Sequence, residues 1–348
     1  MSYSLGADAL LNGLNSDLEM EVFLSHEADV RAMLKFERVL ATAEEASKLI
    51  PDGHAKMITD HIDLFVIDEA ALMERFMIDG VAPPALISQL KIGLECDVAS
   101  SLHFGATSQD LIDTSIMLRL KSCVELMILR LSDVLQTLDE MASNYSDDRV
   151  LIARTRMQNA LPISVPEKLQ NWRSQILGLL NSQPSYFPLQ LGGPEGAARK
   201  FDIYYVDVAQ QMAELLDLDY SENQWHTNRQ ALNDIAFWMC KTATAAGKIA
   251  QDVLMMVQSD VGEVKLTCFG QSSAMPHKQN PVLAEVILAQ ARFCQVQMNG
   301  MNISSIHENE RSGAAWTLEW MLLPQLVRSC GSSVNNTQVL LDDLTFKG

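Results

Sequence analysis

From about Ser108 to Tyr145 the chain carries neither proline nor glycine, and apolar residues recur at Leu111, Ile116, Leu118, Val124, Leu126, Leu129, Leu131, Leu135 and Leu138. That spacing collects the side chains on one side of an α-helix. At about 1.5 Å per residue the helix would be near 50 Å long. A helix of this length with a wide apolar stripe needs partners along its whole extent, because isolated helices gain too little from their own hydrogen bonds. Small and sheet-dominated folds are thereby excluded.

Further helical segments are expected over residues 26–49, with Val30, Met33, Leu34, Val39, Leu40 and Ala43 on one side and Pro51 beyond the end, and over 83–101 after Pro83 and Pro84. Others are expected over 164–182, 203–217, 228–260, 281–301 and 314–330, while two-residue alternation is nearly absent. The fold class is therefore all-α, a bundle of long helices. Residues 183–200, with Pro184, Pro188, Gly192, Gly193, Pro194 and Gly196, form the most evident loop. The 18 methionines suit irregular gaps between helices and call for no cofactor. Stripes this wide imply burial between chains as well as within one.

A net charge of -18 excludes nucleic acid and acidic membranes as partners, since both need a basic footprint. The expected ligand is a small molecule. If it is anionic, local cations must hold it against the overall field, and Lys278, Arg154, Arg156 and Arg311 are the candidates. Six scattered cysteines with no paired spacing read as reduced thiols of a cytoplasmic protein. The seven histidines form no ligand pattern, so neither metal nor cofactor is expected. No apolar run approaches 18 residues, and the N-terminus has no basic region followed by an apolar core.

The chemistry concentrates in Gly270-Gln271-Ser272-Ser273-Ala274-Met275-Pro276-His277-Lys278-Gln279-Asn280-Pro281. Gly270 and Pro276 break regular structure around two hydroxyls, which suggests a mobile loop that could close over a ligand. Asn280 and Pro281 read as the N-cap and first position of a helix, whose free amides and partial positive charge, with Lys278 upstream, would stabilise an anion. Ordinary punctuation between two helices fits the spacing equally well. The run resembles the signature loop of the fumarase/aspartase superfamily, Gly-Ser-Ser-x-x-Pro-x-Lys-x-Asn, with Gln271 standing between the glycine and the serines.

Three more segments carry the resemblance. His103-Phe104-Gly105-Ala106-Thr107-Ser108-Gln109-Asp110 is similar to a His-x-Gly-x-Thr-Ser-x-Asp region whose hydroxyls hold a substrate carboxylate, although Thr107 or Ser108 with Asp110 also makes a plain helix cap. Arg154-Thr155-Arg156-Met157-Gln158 resembles a Gly-Arg-Thr-His-x-Gln region with Arg156 in place of the histidine. An arginine cannot shuttle protons. Expelling an amine, with a conjugate acid of pKa about 10, gains roughly 10²- to 10⁴-fold from a general acid, whereas a carboxylate needs little such help. Arg156 therefore points to a carboxylate as leaving group or nucleophile. Finally, Glu310-Arg311 followed by Trp316, Glu319 and Trp320 resembles the Glu-Arg-x-x-x-x-Trp-x-x-Glu-Trp pattern of the 3-carboxy-cis,cis-muconate cycloisomerase branch.

The resemblance spans the chain from Val30 to about residue 330 and implies a fumarase-type bundle lacking most of the small C-terminal domain. An N-terminal helical domain is expected over 1–100 and the long-helix bundle over 101–348. The implied activity is lactonisation of a tricarboxylate in protocatechuate degradation, with Ser272 exchanging the carbon proton. Lys278 and Asn280 would hold the carboxylate that becomes the enolate, and Arg156 would face the attacking carboxylate. His103, Thr107, Ser108, Arg154, Thr155, Gln158 and Arg311 complete the implied substrate set. The resemblance also implies a homotetramer with sites shared among subunits. The alternatives are elimination of an amine or alcohol, as in adenylosuccinate and argininosuccinate lyases, and a structural protein that has lost catalysis.

Overall fold

The helix starts follow from side chains that satisfy otherwise unpaired amides. Asp17 accepts from Met20 N at 3.1 Å and opens α1 (Leu18–Leu24), and Ser25 accepts from Ala28 N at 3.2 Å and opens α2 (His26–Ala46). The computed structural model of the protein describes residues 13–145 and 150–347. Next come α3 (His54–Leu64), α4 (Glu69–Asp79), α5 (Pro83–Lys91) and α6 (Cys96–Ser101). The single helix expected over 83–101 is thus two helices. Ile92 has already left helical conformation and Gly93, at φ 93°, turns the chain through the left-handed region.

The long rod is α7 (Ser108–Asn144), about 55 Å at the standard rise. Hairpin strands β1 (Val150–Thr155) and β2 (Gln158–Ser164) follow, then α8 (Val165–Asn181), capped by a reciprocal Ser164–Glu167 box. After the proline- and glycine-rich loop come α9 (Tyr205–Leu216), α10 (Gln230–Met256), α11 (Val282–Ser304) and α12 (Ala314–Asp343). Helix α12 continues to Asp343 rather than ending near residue 330. Its second half buries Ser332, Ser333 and Thr337, and two of these hydroxyls bond back to the helix's own carbonyls, Ser333 to Cys330 at 2.8 Å and Thr337 to Ser333 at 2.7 Å. Polar residues that interrupt the apolar pattern therefore sit inside the core.

Helices α7 and α12 run parallel in a fixed register. Trp316 Nε1 donates to Asp113 at 3.2 Å, Arg130 donates to Gly331 O at 3.2 Å, Gln338 donates to Thr137 at 2.9 Å, and Phe346 N donates to the Tyr145 hydroxyl at 3.0 Å. Helix α11 runs back against α12 through Gln290 to Ser332 at 2.9 Å. Beyond the far end lie two short ladders, β3 (Val264–Lys265) with β6 (Thr345–Phe346) and β4 (Gly270–Gln271) with β5 (Gln279–Asn280). Both segments expected as separate domains feed one continuous apolar core, from Met20 and Phe36 to Leu341 and Phe346. Among the described residues no helix is long and apolar enough to cross a membrane.

Candidate active site

At the start of α7, Thr107 is the N-cap and Asp110 closes a capping box, its carboxylate accepting from Thr107 N at 3.0 Å. Asp110 also accepts from Gly192 N at 2.8 Å and Gly193 N at 2.9 Å and lies 2.8 Å from His226 Nε2. A buried carboxylate held by so many donors fixes the proline- and glycine-rich loop against the helix start. Gly105 and Gly193 make this possible. Both have positive φ, and a Cβ on Gly193 would stand 2.9 Å from Gly105 O.

Two basic side chains sit here. His103, itself at φ 60°, bonds through Nδ1 to the buried Glu37 Oε1 at 2.6 Å. Burial pulls its pKa down, but the Glu37 carboxylate outweighs that effect, with help from Asp110, and the net displacement is upward. Arg311 donates from Nε to Gln109 Oε1 at 2.9 Å and from Nη2 to Thr107 Oγ1 and Pro194 O, both at 3.2 Å. Behind it, buried Arg229 bridges Asp113, at 2.7 and 3.0 Å, and Glu319, at 2.8 and 2.7 Å. Those two carboxylates overcome burial and hold the Arg229 guanidinium protonated.

The other motifs lie elsewhere. Strands β1 and β2 pair Thr155 with Gln158, so Arg156 and Met157 form a two-residue turn with φ of 49° and 66°. Both central residues occupy the left-handed region that such a hairpin demands, and neither is the Gly or Asn that usually supplies it. Thr155, Arg156 and Gln158 are exposed at this tip, while Arg154 is held by Glu263 at two 2.9 Å contacts.

Ser272 lies just beyond β4. Its Oγ accepts from Met275 N at 3.1 Å and Ala274 N at 3.3 Å, and Lys278 extends from the same loop with no ion pair among the described residues. Two amides aimed at a hydroxyl oxygen favour its deprotonated form. The loop is the tip of a hairpin rather than a bare connection. Asn280 belongs to β5, opposite Gly270, and Pro281 precedes the first helical residue, Val282. The expected Asn280 cap is thus replaced by Pro281, whose carbonyl accepts from Glu285 N at 3.1 Å. Proline fixes the preceding residue in extended conformation, which suits the ladder. The loop's base is anchored at Asp343, which accepts from Thr267 N at 3.0 Å and Cys268 N at 3.0 Å.

The parallel register of α7 and α12 separates these groups. Trp316, near Thr107 and Arg311, and Asp343 are the two ends of a helical stretch about 40 Å long. Five residues from Thr267 to Ser272 reach at most about 17 Å. Within one chain Ser272 is therefore at least about 20 Å from Thr107, too far for one small substrate. His103, Thr107, Ser108 and Arg311 gather at one end of the bundle. Ser272, Lys278, Asn280 and the Arg154–Gln158 tip belong to the other.

The sequence reading missed the supports: Glu37 behind His103, Gln109 behind Arg311, the Asp113–Arg229–Glu319 cluster, and Glu263 and Asp343 at the far end. The i, i+4 spacing of Gln109 and Asp113 on α7 was the one local signal. Trp316 and Trp320, four positions apart on α12, pack together with ring centroids 4.5 Å apart.

Comparison with known proteins agrees with this architecture. Residues 2–297 match the family model described as lyase. The chain is 31% identical to a 3-carboxy-cis,cis-muconate cycloisomerase of Bradyrhizobium diazoefficiens, over 93% of this chain and 74% of that protein. It is 27% identical to the N-acetyl-S-(2-succino)cysteine lyase of Enterococcus italicus, over 95% of this chain and 74% of that one. The crystal structure of the 3-carboxy-cis,cis-muconate lactonizing enzyme from Pseudomonas putida superposes with a TM-score of 0.89 at 28% identity, covering 98% of this chain and 78% of that one.

Proposed function

Because this chain belongs to the lyase family within the fumarase/aspartase superfamily, we propose that it is a cycloisomerase interconverting 3-carboxy-cis,cis-muconate and a carboxymuconolactone, a step in protocatechuate degradation. The observation that carries this reading is Arg156 at the exposed tip of the β1–β2 hairpin, a permanent cation where elimination of an amine would call for a proton donor.

In the forward direction one substrate carboxylate oxygen, facing Arg156, bonds to an alkene carbon. The alkene electron pair moves into a second carboxylate as an aci-carboxylate held by Lys278 and Asn280. When that intermediate collapses, the neighbouring carbon takes the Ser272 proton, leaving an alkoxide under the amides of Ala274 and Met275. One such donor is worth about 3 to 4 kcal/mol of barrier. Ring closure consumes one carboxylate charge and one proton, which the alkoxide recovers from solvent. His103, Thr107, Ser108, Arg154, Thr155, Gln158 and Arg311 bind and orient the tricarboxylate.

A homotetramer with shared sites supports this chemistry, since the two halves of the machinery lie at opposite ends of one chain. Exposed apolar residues on the long helices, such as Leu129, Phe237 and Val296, suit that assembly. The described cysteines are all unpaired, consistent with work in the cytoplasm. The test is incubation with 3-carboxy-cis,cis-muconate, adenylosuccinate and argininosuccinate in separate reactions, following absorbance and proton uptake. Loss of the conjugated diene with one proton consumed per product supports the reading; turnover of only the succinates overturns it.

A further inference from the structure

Gln109 occupies the second position of α7, fully buried, with its side-chain amide turned toward two different charge systems. Its Oε1 accepts from Arg311 Nε at 2.9 Å, while its Nε2 donates to the carbonyl of His226 at 2.8 Å and to Asp113 Oδ2 at 3.2 Å. The orientation of this amide is dictated by its surroundings. A guanidinium offers only donors, and the carbonyl and carboxylate offer only acceptors, so the flipped amide would oppose like groups at all three contacts.

The two arginines beside it are treated oppositely. Arg229 spends its charge on Asp113 and Glu319. Arg311 has no acidic partner among the described residues; its named acceptors, Gln109 Oε1, Thr107 Oγ1 and Pro194 O, are all uncharged. Asp110 and Asp113, the buried carboxylates on the same helix turn as Gln109, are already taken by backbone amides and by Arg229. Gln109 is the neutral link between the acidic cluster and Arg311.

We propose that Gln109 is a positioning residue that aims the Arg311 guanidinium and keeps its charge available for a carboxylate of the substrate. This rests on the tricarboxylate reading above. A neutral acceptor at Nε fixes the plane of the guanidinium without discharging it, whereas a carboxylate at the same place would satisfy it internally. Residue 109 thereby sets affinity for the anionic group, and its effect falls on substrate binding more than on bond making.

The experiment compares full-length wild type with Q109M and Q109E, measuring kcat and KM for 3-carboxy-cis,cis-muconate, calorimetric binding of tricarballylate, and the thermal midpoint. Q109M should raise KM about tenfold and Q109E about a hundredfold, with kcat within about threefold, the span of lost contacts to a charged group. Tricarballylate binding should weaken by the same factors. Unchanged KM in Q109M, or kcat falling in step with the thermal midpoint while KM holds, overturns the inference; so does wild type that fails to bind tricarballylate. If Q109E does not fold, Q109M decides alone. If wild type binds tricarballylate in a Gln109-dependent manner but does not turn over the muconate, the cycloisomerase reading fails and the inference stands.

Discussion

Tyr145 and Phe346 meet at the far end of the bundle, the Phe346 amide donating to the Tyr145 hydroxyl at 3.0 Å while the rings stand edge to face with centroids 5.4 Å apart. Asp113 and Trp316 make the matching contact at the near end. These clamps hold the Ser272 loop and the Thr107–Arg311 cluster apart within one subunit.

If the site is completed between subunits, two inactive variants should repair each other. S272A and R311M, each nearly inactive alone, should recover about a quarter of wild-type activity after dissociation and reassembly as an equal mixture, because one site in four draws both intact parts. Activity measured after remixing checks this; mixtures no better than either parent would place both parts in one subunit.

Ser272 is predicted to matter for turnover and not for folding. Among the described residues its hydroxyl makes only local contacts, within an exposed loop. S272A should lower kcat by at least about 10²- to 10³-fold, with a thermal midpoint within a degree or two of wild type. Surviving turnover would remove the serine from the reaction.

Removing one partner of the Arg229 cluster should be costly. R229M leaves the buried carboxylates of Asp113 and Glu319 uncompensated, for a loss of about 3 to 5 kcal/mol. Breaking the exposed Lys56–Asp60 pair with K56A should change stability by less than about 0.5 kcal/mol. Urea unfolding of the two variants provides the contrast.

Glu44 gives the protein a pH-dependent weakness. Both its oxygens are buried without a hydrogen-bond partner among the described residues, and burial, reinforced by the Glu37 charge, pushes its pKa up to about 10. The folded state therefore keeps a proton that the unfolded chain releases above about pH 4.5, so stability falls as pH rises between those values. E44Q should match wild type near pH 4.5 and exceed it by a few degrees in thermal midpoint at pH 8. A constant difference across that range would refute the assignment.

His103 shifts stability with pH in the same direction, through a charged rather than a neutral form. Its pKa is raised, so the charged ring's contribution to stability is complete below about 6.5 and fades as pH climbs through the folded value. E37Q leaves burial unopposed by the Glu37 charge. The variant's KM for an anionic substrate should rise about tenfold between pH 6 and 8, while wild type stays flatter. Identical pH profiles would exclude His103 as a substrate cation.

The long helices were legible because their apolar spacing persists over many turns, as in α7. The β1–β2 hairpin was hidden because its strands are mostly exposed and its Arg156–Met157 turn lacks the residues that announce such turns. The second half of α12 was hidden by buried serines and threonine that pair with their own helix. At the site, the motifs stood out as residue types at fixed offsets. Their supports did not, since Arg154 finds Glu263 across 109 positions and Arg311 finds Gln109 across 202. Pairings of that kind exist only after the helices have packed.

The contacts along α7 and α12 and just past their ends keep a nearly constant separation in the chain, 203 positions at Asp113 and Trp316 and 201 at the next three. Adding a turn to only one of these helices would shift every later rung. Related chains can thus lengthen or shorten this rod only by matched changes in both helices, and size variation should appear as paired insertions some two hundred residues apart.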